Sequence, residues 1–127
     1  MLVNANAIAA HVVDAAIAVH RVFGPGLLES AYVAAMEIEL SERGLLFARE
    51  VPLQGCYHGR PLGIVYRADI VVENKLLIEA KSVLGIEDIH IAQVISYLRL
   101  ANLRLGLLLN FNVPVMKREI KRIANNL

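Results

Sequence analysis

Two short apolar runs, Leu76 to Lys81 and Leu105 to Asn110, enclose a stretch of helical period from Ile86 to Leu100. Runs of that length read as strands, and a strand–helix–strand order calls for a crossover that lays the strands parallel. This commits the chain to a mixed α/β architecture. Upstream, Phe47 to Tyr57 and Leu62 to Val72 read as two further strands, joined by a turn at His58-Gly59-Arg60. Glu73-Asn74-Lys75 is a tight connection into Leu76, so the first three strands form an antiparallel meander.

The first part of the chain has a different period. Ile8, Val12, Ala15 and Val19 recur at helical spacing between Ala5 and Arg21, and Gly24-Pro25-Gly26 then breaks the chain. A second helix is predicted from near Leu27 to about Arg43, with Leu28, Tyr32, Ala35 and Ile38 marking its faces and Gly44 as its stop. The tail from Val115 to Ala124 reads as a short helix. The predicted order is α-α-β-β-β-α-β-α, a compact mixed sheet of about four strands flanked by helices. Residues 1–127 form a single domain in this reading, large enough to bury a core without staples.

Charge placement on the third strand carries the functional signal. Glu79 and Lys81 are alternate residues, so their side chains point to the same face. Asp69 lies near the end of the preceding strand, and pairing through the turn at 73–75 brings it beside Glu79. A buried charge is costly unless it is paired or binds a metal. Two carboxylates with the backbone carbonyl of Ala80 suit a hard cation that keeps waters in its other positions. Lys81 would then orient or deprotonate a water, or stabilise a developing oxyanion. The competing reading is a surface ion pair between Glu79 and Lys81 on an edge strand.

Composition narrows the setting. Hydrophobic residues make up 57 % of the chain and mean hydropathy is +0.52, yet no apolar run reaches the roughly 18 residues of a spanning helix. Leu105 to Val115, the best candidate, is interrupted by Gly106, Asn110, Asn112 and Pro114. No basic segment leads into a signal-like core, so the expected location is cytoplasmic and no membrane is involved. The single Cys56 excludes an internal disulfide framework and a four-cysteine zinc site. The aliphatic excess predicts a self-association face, a homodimer or a protein partner. Net charge is +1, so a strongly basic nucleic-acid footprint is absent. Lys117, Arg118, Lys121 and Arg122 read as a solvated helix face.

Asp69 with Glu79-Ala80-Lys81, in a strand–turn–strand setting, resembles the PD-(D/E)XK nuclease superfamily, whose core order is α-β-β-β-α-β. Gly26-Leu27-Leu28-Glu29-Ser30-Ala31-Tyr32 resembles the signature of the small GxxExxY protein family placed in that superfamily. Gly24-Pro25-Gly26, Ala92-Gln93 with Ser96-Tyr97-Leu98, and Leu109-Asn110-Phe111 are similar to other segments of it. One departure is Ala68 where the superfamily pattern has a proline before the first acid.

The resemblance implies a metal-dependent nuclease that cleaves phosphodiester bonds in nucleic acid, with DNA ranked ahead of RNA as the substrate. Asp69 and Glu79 would hold Mg²⁺ or Mn²⁺ with the Ala80 carbonyl, and Glu29 would be a third acid or a ligand of a second metal. Lys81 would assist the attacking water. Gln93 would hold Lys81 or the scissile phosphate, as in the QxxxY element of some superfamily nucleases. Tyr32, Tyr97, His20 and Arg21 are the candidate substrate contacts. For Glu29 the plain alternative is an acid favoured at a helix N-terminus, and for Tyr32 and Tyr97 it is packing. Three other readings stay open: a module that binds nucleic acid or nucleotide without cutting it, a partner-docking protein of the same fold, and a metal enzyme acting on a small phosphate ester.

Overall fold

The computed structural model describes residues 4–125, and its elements follow the sequence pattern closely. Helix α1 spans Ala5–Phe23 and α2 spans Glu29–Glu42. Strands β1 (Phe47–Tyr57), β2 (Arg60–Val72) and β3 (Leu76–Lys81) come next, then α3 (Asp88–Ala101) and β4 (Leu105–Asn110). A short 3₁₀ turn at Met116–Glu119 leads into β5 (Ile120–Ala124).

The tail departs from expectation: it is a strand, not a helix. β4 is buried along its whole length, so leaving its far side unpaired would expose a row of backbone donors and acceptors. β5 covers that edge, pairing antiparallel from Leu105↔Ala124 to Leu109↔Ile120. The sheet therefore has five strands in the order β1-β2-β3-β4-β5. Lys117, Arg118, Lys121 and Arg122 are exposed as predicted, but on the 3₁₀ turn and β5. β3 and β4 are parallel and the other pairs antiparallel, with α3 as the crossover.

The sheet is covered on both faces. Ile8 and Val12 of α1 and Tyr32 and Met36 of α2 pack on Ile70, Ile78 and Leu107. Val94 and Leu98 of α3 pack on Leu77 and Leu108. Consecutive β3 residues thus feed opposite cores, as strand alternation requires. Replacing Ile78 or Leu108, each at most 1 % exposed, with alanine would cost about 2–5 kcal/mol. Gly106 permits the close seat of α3, since a Cβ there would lie 3.1 Å from Val94.

Local signals fix the element ends. Asn4 accepts a hydrogen bond from the Ala7 amide at 2.8 Å and starts α1. Glu87 caps α3, and His90 returns a bond to the Glu87 amide at 2.9 Å, so the helix begins after Ile86. Glu73 and Asn74 both have positive φ, the conformation a two-residue hairpin turn demands.

β2 changes partners along its length. It pairs with β3 only from Ile70↔Ile78 to Val72↔Leu76, whereas β1 follows it from Phe47↔Val72 out to Tyr57↔Arg60. Its first part therefore belongs to a two-stranded arm that exposes Leu62, Ile64 and Val65. Among the described residues, no helix is long and apolar enough to cross a membrane.

Candidate active site

The site forms where β2 and β3 separate. Beyond Ile70↔Ile78 the backbone ladder stops, and the two acids bridge the gap. The Asp69 amide donates to Glu79 Oε1 at 3.0 Å. The Ala80 amide donates to Asp69 Oδ2 at 2.9 Å. Each carboxylate thus takes the place of a missing ladder bond on the opposite strand, which fixes the pair side by side. Glu79 is 1 % exposed, so the surface ion-pair reading is overturned. Lys81 takes no part in the ion pairs Arg43–Glu39 and Arg49–Glu37.

The second Glu79 oxygen, Oε2, accepts the Tyr66 hydroxyl at 3.0 Å. The Tyr66 ring stacks on Tyr97 of α3 with centroids 3.9 Å apart and planes 8° from parallel. Tyr97 thus reaches the acids through Tyr66, by packing. Sequence reading missed Tyr66 because regular alternation gave no reason to place it beside the acids. Its signal was Gly63, a glycine inside a strand that marks irregular pairing. The β1–β2 pairing slips between Leu53/Gln54, leaving Val65 as an extra residue next to Tyr66. Such bulges redirect neighbouring side chains.

Burial, then repulsion from Asp69, pushes the Glu79 carboxyl up to about 7 despite the opposing pull of its two donors and Lys81. Burial also raises Asp69; the Ala80 amide bond opposes this, while Glu29 and Glu50 add to it. Burial and the adjacent Glu79 charge push the Tyr66 hydroxyl upward, so it remains a donor.

Asp69 opens onto a cleft of about 520 Å³ shared with Glu29, Val33, Glu37, Arg49 and Glu50. Four of those six side chains are acidic and one is basic, so on its own the cleft repels a phosphodiester. Glu50 is a second residue that sequence reading missed; it has φ +48 within β1, a strained conformation for a non-glycine residue.

The other expected residues are placed unequally. Glu29 begins α2, and its Oε2 accepts the Ser82 amide at 3.2 Å, tying the helix start to the end of β3. It shares the cleft with Asp69, but no three His, Cys, Asp or Glu side chains among the described residues form a metal-ligating group. Asp69 and Glu79 are thus the acids in direct register, while Glu29 faces Asp69 across the cleft with one oxygen held by the Ser82 amide. Tyr32 is buried: its hydroxyl donates to the Gly24 carbonyl at 2.5 Å and accepts the Leu27 amide at 3.2 Å, pinning the turn before α2. Its ring stacks on Phe111. His20 is buried as well, and its Nε2 donates to the Val113 carbonyl at 2.7 Å. Tyr32 and His20 therefore serve the scaffold rather than a substrate. Arg21 is exposed at the end of α1, and Gln93 is half-buried on α3; neither is hydrogen-bonded to the acids.

The acid pair fits a divalent cation. Asp69 Oδ1 has no hydrogen-bond partner among the described residues, and both Glu79 oxygens keep a spare lone pair. Ala80 turns its amide toward β2, and in a parallel strand the carbonyl of that residue points the same way. Two adjacent carboxylates that are raised by burial and by each other gain most from a cation.

A family model described as the PD-(D/E)XK nuclease superfamily matches residues 6–123. No curated protein and no solved structure matches the chain.

Proposed function

The chain belongs to the PD-(D/E)XK nuclease superfamily, and from that premise we propose that it is a divalent-metal-dependent nuclease acting on DNA. The observation that carries this reading is the reciprocal bonding of Asp69 and Glu79 across the open end of the β2–β3 ladder. It supports Asp69, Glu79 and the Ala80 carbonyl as the groups that hold Mg²⁺ or Mn²⁺, with Glu29 acting across the cleft. When bound, the ion supplies Lewis-acid stabilisation of a phosphoryl oxygen and a more acidic water. Lys81 shares the face of Glu79 and is free of ion pairs among the described residues, so its ammonium is available to a water or a phosphate oxygen. Gln93, on the helix packed over that face, orients the phosphate. Arg21 and Tyr97 contact the nucleic-acid chain. The Gly26-to-Tyr32 segment supports a place in the GxxExxY family. Exposed Val22, Phe23 and Leu28, with the apolar arm, support self-association.

Incubating the chain with single- and double-stranded DNA and RNA, with Mg²⁺ or Mn²⁺, tests this reading. Metal-dependent cleavage of DNA that disappears in Asp69→Asn is the expected result. No cleavage of any substrate in either metal, with DNA affinity that falls steeply with salt, would replace it with a non-cleaving binding module.

A further inference from the structure

Glu79 is held from two directions. The Asp69 amide fixes Oε1 and the Tyr66 hydroxyl fixes Oε2, both at 3.0 Å. A carboxylate on a flexible stem otherwise rotates about its last torsion. With a donor on each oxygen its plane is set, and so are the directions of the two lone pairs left over. Tyr66 is itself held: its ring lies flat on Tyr97, and a bulge in β2 directly precedes it. Orientation thus passes from α3 through a ring stack to a hydroxyl, and from the hydroxyl to the acid.

We infer that Tyr66 is the positioning residue of the site, its hydroxyl setting the direction in which Glu79 meets a divalent cation and Tyr97 setting Tyr66. This rests on the proposed cation site. The inference also gives Tyr97 of α3 a role beyond any contact with substrate, which is to steady a second tyrosine. Partners that orient a metal ligand through its other atoms commonly change metal affinity by about 10–100-fold when removed.

Calorimetric titration of Mn²⁺ into the full chain tests this, using wild type, Tyr66→Phe, Tyr97→Leu and Glu79→Gln, with the metal-free unfolding midpoint measured for each. Tyr66→Phe keeps the ring and removes only the hydroxyl. Its Mn²⁺ affinity should fall by about 10–100-fold, and cleavage should recover as Mn²⁺ is raised. Tyr97→Leu, which removes the stack but not the hydroxyl, should weaken binding less. A lowered unfolding midpoint with Mn²⁺ affinity equal to wild type would overturn the inference and leave the cation site standing. Failure of wild type itself to bind Mn²⁺ would overturn the cation site, and this inference with it.

Discussion

Two polar clusters sit at the same end of neighbouring parallel strands, and they are built in opposite ways. At the end of β4, the fully buried Asn110 uses every hydrogen-bonding position it has. Its Oδ1 accepts the Val83 and Asn112 amides, and its Nδ2 donates to the Val83 carbonyl and to Glu119 Oε1. Glu119 in turn accepts the Ile86 amide. The cluster is closed and clamps the segment between β3 and α3. At the end of β3, Asp69 and Glu79 accept three protein donors between them, form no ion pair among the described residues, and keep lone pairs without a protein partner, with Asp69 on the wall of the cleft. A satisfied network specifies structure, whereas an unsatisfied pair of like charges is kept for something outside the chain.

Replacing one member of each cluster should separate these roles. Asp69→Asn should reduce metal-dependent cleavage by at least about a thousand-fold, or about 4 kcal/mol of barrier. The metal-free fold should be as stable as wild type or more so, because a like-charge contact is gone. Cleavage assays paired with urea denaturation read both. Asn110→Ala should do the reverse. It strands the Val83 and Asn112 backbone groups and should lower stability by about 3 kcal/mol, while the folded fraction still binds Mn²⁺. A variant at Asn110 that spared stability but abolished metal binding would break the comparison.

The pH dependence sharpens it. The Glu79 carboxyl sits at about 7 in the fold, above its ordinary 4.5. Between those values the native state holds a proton that the unfolded chain has released. Metal-free stability should therefore be greatest below about 4.5 and fall as pH rises through 7, by on the order of 3 kcal/mol from this group. Mn²⁺ should restore the loss, and Glu79→Gln should flatten the slope. Denaturation midpoints across that range, with and without metal, measure this. The smallest effect belongs to the cleft wall: Arg49→Ala breaks a 3.2 Å pair with Glu37 in which Arg49 is 68 % exposed. It should change stability by less than about 1 kcal/mol, a difference that thermal melts resolve.

The division between what the sequence shows and what it hides follows the same physics. Strand alternation and turn residues were enough to bring Asp69, Glu79 and Lys81 to one end of two strands, and β1, β3 and β4 took the bounds that the pattern predicts. The superfamily core order was legible for the same reason. β5 was not, because Ile120 and Ile123 suit either a short helix or a strand, and the need to cover β4 is a tertiary fact. Tyr66 was hidden because regular alternation puts it on the face opposite Asp69, whereas the strands change faces between Ala68 and Ile70, opposite the positive φ of Glu50. His20 was a candidate contact from its place at the end of α1, and Tyr32 from its place in the motif that opens α2, where packing was the plain alternative and is what the structure shows. Their hydrogen bonds instead go to backbone groups of the Gly24 turn and the segment after β4. Asn110 stood in a motif whose purpose only the closed network reveals.

Diffraction from crystals soaked in Mn²⁺, recorded where manganese scatters anomalously, would locate the cation. One anomalous peak bound by Asp69, Glu79 and the Ala80 carbonyl is expected, absent from Asp69→Asn crystals. A peak held by Glu37 and Glu50 alone, or none at the acid pair in wild type, would contradict the acid-pair site.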